Sequence, residues 1–266
     1  MTARYGLIID LDGTMYHGGK IVAHADEFVS DLRDRKIPYL FLTNNSSRTP
    51  KEVAKQLAGM GIPAEAAQVY TSAQAAASYI HKKRPWAKVY VLGEPGLHAA
   101  LKEAGLQQVT DEQPDYVVQG IDFSFDYAKL ERAAGYIRSG AEFILTNPDL
   151  LLPTDRGFIP GAGSLGAAIQ AASGKQPVVI GKPSAIIMED VIDRIGLPAD
   201  QVWVVGDNAA TDMRAGQAAG CRTALMLTGI TTRDNLQETL ESAGVKPDLI
   251  CDDIPALAEA LRSFYS

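Results

Sequence analysis

The segment Leu7-Ile8-Ile9-Asp10-Leu11-Asp12-Gly13-Thr14 decides the fold class, because a short aliphatic run leads directly into two carboxylates and a glycine. A continuous apolar run that ends in a turn is typical of a parallel strand covered on both faces. Polar residues that follow such a strand lie at the carboxyl edge of the sheet, where α/β proteins bind their ligands. The same Asp and Gly residues would also suit an ordinary exposed turn, so this segment alone leaves both interpretations open.

Eight further apolar runs extend this pattern along the chain, and amphipathic stretches lie between them. The alternation of strand and helix predicts an α/β fold with a doubly wound, mostly parallel sheet. The eight further predicted strands occupy residues 39–42, 89–92, 116–118, 143–145, 178–180, 202–205, 225–227 and 249–250. The predicted helices occupy residues 50–60, 74–84, 128–139, 184–195 and 210–219.

The number of strands bears on the domain organisation. Nine candidate strands are more than one small doubly wound sheet needs, and no Ser/Gly linker divides the chain into two halves. Polar, turn-prone stretches at residues 82–85 and 173–177 are candidate hinges. The succession of predicted elements along the chain leaves open whether a second domain is inserted into the first.

Composition excludes several classes of protein. The chain has 266 residues, of which 46% are apolar, and this is enough to bury a core without disulfides. Its net charge of −7 argues against a broad nucleic-acid-binding face, although small anions remain open as ligands. The N-terminus has no signal-peptide pattern, and no apolar run approaches the ~20 residues of a membrane span. We therefore expect a cytoplasmic protein with neither nucleic acid nor membrane as a partner.

Three more predicted strands end in polar residues. Thr43-Asn44-Asn45-Ser46-Ser47-Arg48 follows the second strand and offers hydroxyl and amide groups to an anion. Lys182 lies between Gly181 and Pro183 after a later strand, and Gly206-Asp207-Asn208-Ala209-Ala210-Thr211-Asp212 follows another. Taken singly, these residues could be helix caps or a solvated lysine.

The placement of the four strand ends is more informative than any one of them. A doubly wound sheet brings the carboxyl ends of its parallel strands to one edge. Asp10, Asp12, Asp207 and Asp212 would then lie together and repel one another, so a bound cation is the natural compensation. Carboxylate oxygens suit Mg²⁺, and we therefore expect Mg²⁺ as the cofactor.

The stretch Gly161-Ala162-Gly163-Ser164-Leu165-Gly166 has the G-x-G-x-x-G spacing of dinucleotide-binding turns. The residues before it are too few and too interrupted by proline for a buried first strand. No acidic residue closes a strand about 20 residues later, as that fold requires. We therefore do not expect an oxidoreductase.

The chain resembles the haloacid dehalogenase superfamily of phosphatases. The resemblance rests on Asp-x-Asp-Gly-Thr, the Thr-Asn turn, Gly-Lys-Pro and Gly-Asp-Asn-x-x-Thr-Asp, in that order. Residues 42–48, 146–149 and 160–164 resemble its NagD-like or 4-nitrophenylphosphatase-like branch, which has a type IIA (C2) cap. The resemblance implies a catalytic core of residues 1–78 and 180–266, with an α/β cap inserted over residues 79–179.

The resemblance also implies catalytic roles. Asp10 would be the nucleophile that forms an aspartyl-phosphate, and Asp12 would be the general acid and then the general base. Lys182 would favour the ionised form of Asp10 and bind phosphate. Mg²⁺ would be held by the Asp10 side chain, the Asp12 backbone carbonyl and Asp207.

Further residues would surround these groups. Thr43 and the amide of Asn44 would bind the phosphoryl oxygens, while Asp212 and Asn208 would lie beside the metal ligands, with Asp212 orienting a water or Lys182. The candidates for contact with the rest of the substrate are Asn45, Ser46, Asn147 and Asp149.

The expected function is Mg²⁺-dependent hydrolysis of small phosphate monoesters, such as sugar phosphates, nucleoside monophosphates or aryl phosphates. Two alternatives stay open. A phosphoryl transferase would share the aspartyl-phosphate, and a sensor would bind a phosphorylated metabolite without turnover. Caps of this family often mediate dimers, so a homodimer also stays open.

Overall fold

Two parallel β-sheets, one of six strands and one of five, organise the chain in a computed structural model. The structure describes residues 5–154 and 157–262. Residues 1–4, which begin the N-terminal stretch examined for a signal peptide, therefore lie outside the described residues. The described strands are β1 (Gly6–Ile9), β2 (Tyr16–His17), β3 (Lys20–Ile21), β4 (Tyr39–Thr43), β5 (Val69–Thr71), β6 (Lys88–Leu92), β7 (Gln107–Gln108), β8 (Tyr116–Gln119), β9 (Glu142–Leu145), β10 (Leu151–Thr154), β11 (Gly157–Pro160), β12 (Val178–Val179), β13 (Val202–Gly206), β14 (Arg222–Met226) and β15 (Leu249–Cys251).

Helices alternate with these strands. The described α-helices are α1 (Ala25–Asp34), α2 (Pro50–Gly59), α3 (Ser72–Lys83), α4 (Pro95–Glu103), α5 (Tyr127–Arg138), α6 (Ala162–Ser173), α7 (Ala185–Ile195), α8 (Arg214–Ala218), α9 (Leu236–Ala243) and α10 (Ile254–Arg262). A π-helical turn, Ala209–Met213, leads into α8. The α/β class with parallel sheets is confirmed, and each of the nine predicted strands overlaps an observed one.

The six-stranded sheet has the order β15-β14-β13-β1-β4-β5, which places β1 near its centre. β1 pairs in parallel with β13 on one side and with β4 on the other, so Ile9 lies beside both Val205 and Phe41. All four residues of β1 are buried, as expected for a strand covered on both faces. The ends of β1, β4 and β13 therefore lie side by side along one edge.

The five-stranded sheet has the order β12-β9-β8-β6-β7, and its strands pair in parallel. The prediction that all four polar strand ends belong to one sheet is wrong for the strand before Lys182, because that strand, β12, pairs with β9 in the five-stranded sheet. Leu92, Val117 and Phe143 of this sheet share a buried apolar cluster with Ile137 of α5 and Ile169 of α6. β10 and β11 form a separate antiparallel hairpin, and β2 and β3 form another.

The described residues divide into two compact units. Unit 1 comprises the described residues up to Thr43, Lys51–Tyr70 and the described residues from Lys182 onward. Unit 2 comprises Asn44–Pro50 and the described residues within Thr71–Gly181. No helix among the described residues has both the length and the apolar character that crossing a membrane requires.

The short segment Asn44–Pro50 is bound into unit 2 by backbone contacts. The Gly96 N–H in the first turn of α4 donates to the Ser47 carbonyl at 2.9 Å. A Cβ atom at Gly96 would lie 2.5 Å from the Arg48 backbone, so glycine is required for this approach. Beyond its chain neighbours and the backbone of α5 itself, no atom lies within 4 Å of a Cβ position at Gly135.

Two glycine substitutions in unit 2 should therefore have opposite effects on stability. Gly135→Ala should stabilise the protein by up to ~1 kcal/mol, because alanine favours a helix over glycine. Gly96→Ala should destabilise it by about 1–3 kcal/mol through the clash with Arg48. Thermal unfolding of both variants beside the wild type measures the two shifts. A rise in Tm for Gly96→Ala would contradict the packing of the segment Asn44–Pro50 against α4.

Candidate active site

Asp10 follows β1 and continues its pairing with β13, because its N–H donates to the Val205 carbonyl at 2.8 Å. Gly13, with φ of +87°, turns the chain directly after this segment. The two predicted carboxylates of this segment, Asp10 and Asp12, lie in different environments. Asp10 is half-buried, whereas the side chain of Asp12 is exposed and lies outside the group of carboxylates described next.

Lys182 binds two of the predicted carboxylates at once. Its Nζ donates to Asp10 Oδ1 at 2.5 Å and to Asp212 Oδ1 at 2.6 Å, and it also donates to the Leu42 carbonyl at 3.3 Å. The lysine is only 3% exposed. A buried ammonium group is tolerated when it is fully hydrogen-bonded to opposite charge, and Lys182 meets that condition.

Asp207 follows β13 and is fixed by donors from two loops. Its Oδ2 accepts the Ile230 N–H at 2.6 Å, and its Oδ1 accepts the Thr14 hydroxyl at 3.4 Å. Glycines leave the space for this carboxylate, because a Cβ atom at Gly13 or Gly229 would lie 2.3 or 2.0 Å from Asp207 Oδ2. Asp207 is 1% exposed, so its orientation is set by the protein.

Asp212 lies in the π-helical turn, where its Oδ2 accepts the Asn208 N–H at 3.1 Å. Gly206 makes room for this group, since a Cβ atom there would lie 2.4 Å from the Asp212 carboxyl carbon. The Asn208 side chain caps the same turn by accepting the Ala210 N–H at 2.9 Å. Asp212 thus holds one oxygen toward Lys182 and the other toward the backbone.

The charges in this group are unbalanced. Asp10, Asp207 and Asp212 can each present a carboxylate oxygen such that all three oxygens lie within 4.8 Å of one another. Burial, with added repulsion from the other carboxylates, raises the pKa of Asp10 well above its usual value although Lys182 opposes this. Burial and then Asp212 raise the pKa of Asp207 to about 7.

Lys182 responds in the opposite direction to the acids. Burial lowers its pKa, but Asp10 and Asp212 outweigh burial and the net pKa of Lys182 is raised. The site therefore holds three carboxylates against one ammonium group. Oxygen ligands with excess negative charge fit a divalent cation. Such a cation would replace the protons that Asp10 and Asp207 hold because their pKa values are raised.

Thr43 and Asn44, predicted to bind phosphate, follow each other in sequence but belong to different units. Thr43 is buried at the end of β4. Asn44 begins the segment bound to unit 2, where its Nδ2 donates to Asp149 Oδ2 at 3.1 Å. The Asn147 side-chain amide donates to the Asn44 carbonyl at 2.8 Å.

Asn45 and Ser46 differ in exposure. Asn45 is exposed, and its Oδ1 accepts both the N–H and the hydroxyl of Ser47, at 2.8 and 2.7 Å. Ser46 is 1% exposed, and its Oγ accepts from the Thr146 hydroxyl and the Ile121 N–H, each at 3.4 Å. Their predicted contact with substrate remains a prediction.

Sequence reasoning missed Thr14, Gly229 and Ile230, all of which contact or accommodate Asp207. Thr14 stands within the quoted Asp-x-Asp-Gly-Thr motif, although no role follows from the motif alone. Gly229 and Ile230 come shortly after β14, and the rule that strand ends meet at one edge could have pointed to them.

Comparison with known proteins decides the family. A family model described as a haloacid dehalogenase-like hydrolase matches residues 7–107, and a HAD-hydrolase-like model matches residues 179–257. A protein named 5'-nucleotidase YutF from Bacillus subtilis is 46% identical over 250 residues, which cover 94% of this chain and 97% of that protein. The chain belongs to the haloacid dehalogenase-like hydrolase family. The resemblance inferred from its motifs is thereby confirmed.

Further similarities place the chain among the phosphatases of this family. A protein named acid sugar phosphatase from Staphylococcus epidermidis is 44% identical over 230 residues, with 86% of this chain and 89% of that protein covered. The solved structure of a p-nitrophenyl phosphatase from Archaeoglobus fulgidus superposes with a TM-score of 0.92 at 35% identity, covering 97% and 99% of the two chains. This haloacid dehalogenase-like hydrolase is thus a phosphoric monoester hydrolase, and the Asp10, Asp207 and Asp212 group is consistent with the divalent-metal site of the family.

The raised pKa values predict a stabilising effect of Mg²⁺ that depends on pH. Acids whose pKa is raised by folding stabilise the protein below their unfolded value, 3.8, and this stabilisation is lost as pH rises through the folded value, about 7 for Asp207. Mg²⁺ should therefore raise the Tm more at about pH 7.5 than at about pH 5. With free Mg²⁺ at 100 times its Kd, the gain is about 2.7 kcal/mol, or roughly 5–10 °C.

Calorimetry with and without Mg²⁺ at both pH values measures this effect. Asp207→Asn is the matched control, because it removes one carboxylate and should abolish most of the Mg²⁺-dependent gain. Equal gains at the two pH values would contradict the competition between protons and the metal.

Proposed function

We propose that this phosphatase uses Mg²⁺ to hydrolyse small phosphate monoesters, among them sugar phosphates, nucleoside monophosphates and aryl phosphates, through an aspartyl-phosphate. The observation that carries the proposal is the buried Lys182 shared by Asp10 and Asp212, with Asp207 beside them. The names of the relatives, a 5'-nucleotidase, an acid sugar phosphatase and a p-nitrophenyl phosphatase, support a range of leaving groups.

Asp10 is the nucleophile in this proposal. One of its oxygens attacks phosphorus as the bond from phosphorus to the leaving oxygen breaks, and water then attacks the aspartyl-phosphate to release phosphate. Its half-buried position at the end of β1 supports this role, because a fixed carboxylate loses little freedom on attack. The contact with Lys182 favours the ionised form that attack requires.

Asp12 is the general acid and base in this proposal. It gives a proton to the leaving oxygen in the first step and takes one from the attacking water in the second. Its exposure and its separation from the buried carboxylates support the division of labour, since the two acids then have different environments.

The remaining groups bind the metal and the phosphoryl oxygens. The side chains of Asp10 and Asp207 and the backbone carbonyl of Asp12 would hold Mg²⁺, and Asp212 would orient Lys182. When bound, the cation supplies positive charge to the phosphoryl group. The phosphoryl oxygens are bound by Lys182, the Thr43 hydroxyl and the backbone N–H of Asn44. Asn208 holds the π-helical turn that carries Asp212, because its side chain accepts the Ala210 N–H.

Unit 2 is the specificity domain in this proposal, corresponding to the cap predicted over residues 79–179, and the core is the remainder. Its separate sheet supports that role, because a compact unit with its own sheet can vary in sequence while the carboxylates of unit 1 stay unchanged. We also propose a homodimer, and light scattering of the purified protein tests it directly. The cytoplasmic location remains a prediction.

Asp10→Asn should abolish turnover by more than about a thousandfold, because the amide is neither a nucleophile nor a charge partner for Lys182. Steady-state phosphate release with Mg²⁺ present measures the loss, and thermal unfolding checks that the variant folds. Turnover at the level of the wild type would rule out Asp10 as the nucleophile.

A panel of phosphomonoesters assayed in water tests the reaction class. Phosphate release without an added acceptor is the expected result, and it should stop in excess chelator and return when Mg²⁺ is restored. Release that occurs only with an acceptor alcohol would support a phosphoryl transferase instead. Binding of phosphate without turnover on any ester would support the sensor.

A further inference from the structure

We infer that Asn147 and Asp149 are positioning residues that hold the phosphate-binding turn at Asn44 and do not bind the leaving group. The inference rests on the proposed function, in which the backbone N–H of Asn44 binds a phosphoryl oxygen. It gives a different role to two residues that the sequence suggests as substrate contacts.

Asn44 is held through both its carbonyl and its side chain. Its carbonyl accepts from the Asn147 side-chain amide at 2.8 Å and from the Ser72 hydroxyl at 2.6 Å. Its own Nδ2 donates to Asp149 Oδ2 at 3.1 Å. Asn147 is 6% exposed, so its amide is committed to the protein interior.

Asp149 is itself fixed by its neighbours. Its N–H donates to Asn147 Oδ1 at 3.1 Å, and its carbonyl accepts the Gly163 N–H at 2.9 Å. A Cβ atom at Gly161 would lie 2.2 Å from the Asp149 carbonyl oxygen, and one at Gly163 would lie 2.2 Å from the Pro148 carbonyl oxygen. The glycines of the G-x-G-x-x-G stretch thus let the start of α6 approach this turn.

These contacts form one continuous support within unit 2, from α6 through Asp149 and Asn147 to Asn44. Every substrate of a phosphatase presents the same phosphoryl group, whereas the leaving group differs from one to the next. Loss of a residue that positions the phosphate-binding turn should therefore affect all substrates equally. Loss of a residue that binds the leaving group should affect some substrates and spare others.

Two substitutions at Asp149 separate these cases in the full-length protein with Mg²⁺. Asp149→Ala should lower kcat/KM by the same factor for p-nitrophenyl phosphate, a sugar phosphate and a nucleoside monophosphate. A factor of about ten to a hundred is expected, since a misplacement of about 1 Å costs about a hundredfold. The inhibition constant of inorganic phosphate should rise in parallel.

Asp149→Asn keeps an oxygen that accepts from Asn44 Nδ2 and should stay within about threefold of the wild type, because a neutral hydrogen bond replaces a charge-assisted one. Asp122→Asn is the matched control in unit 2. Asp122 is buried and paired with Lys129 at 2.7 Å, so its loss should lower the Tm and leave phosphate inhibition unchanged.

A double-mutant cycle tests whether Asp149 acts through Asn44. Asn44→Ala keeps the backbone amide and removes the donor to Asp149, so adding Asp149→Ala should cause little further loss. Fully additive losses would overturn the inference, as would losses that differ more than about tenfold among substrates while phosphate inhibition is unchanged. Absence of turnover by the wild type would instead overturn the proposed function.

Discussion

The burial of Lys182 between Asp10 and Asp212 is the interaction on which the rest of the site depends. An ammonium group that is 3% exposed requires carboxylate partners, and Asp207 adds a third carboxylate to the two that already share its single positive charge. The partners lie 172 and 30 positions away from Lys182 along the chain, so the fold must bring together three segments that are far apart in sequence. The parallel pairing of β1 with β13 brings together the segments that carry Asp10 and Asp212, whereas Lys182 comes from the segment after β12 of the five-stranded sheet.

The sequence was sufficient to predict this edge of the sheet because it follows from one geometric rule. Continuous apolar runs indicated buried parallel strands, and parallel strands place their carboxyl ends together. Asp10 follows β1, and Asp207 and Asp212 follow β13, its neighbour in the six-stranded sheet, so this rule brings the three carboxylates together. The rule does not place Lys182, because β12 before it belongs to the five-stranded sheet. What could not be predicted was how Asp207 is accommodated, because Gly229 approaches it from a loop more than twenty residues further along the chain.

The sequence also does not predict which partners the polar side chains after β4 choose for their hydrogen bonds. Asn and Ser side chains after a strand can bind a ligand, a helix terminus or one another, and composition does not choose between these. Ser46 illustrates this, since its hydroxyl lies against Thr146 and Ile121. Nothing in residues 44–50 indicates that they pack with Gly96 or Asn147, because those residues are distant in sequence and become neighbours only in the folded unit.

The G-x-G-x-x-G stretch shows why a glycine pattern predicts a close approach without identifying what approaches. In a dinucleotide-binding turn the absent side chains admit a pyrophosphate, and here they admit the carbonyls of Pro148 and Asp149. The two cases share the steric requirement and differ in the strand that precedes the turn, which here is the largely exposed β11 rather than a buried central strand. Glycine spacing therefore gains meaning only from the element before it. In this chain β11 pairs with β10 and sets Pro160 beside Leu151, so Gly161 and Gly163, which come next, lie against the carbonyls of Asp149 and Pro148.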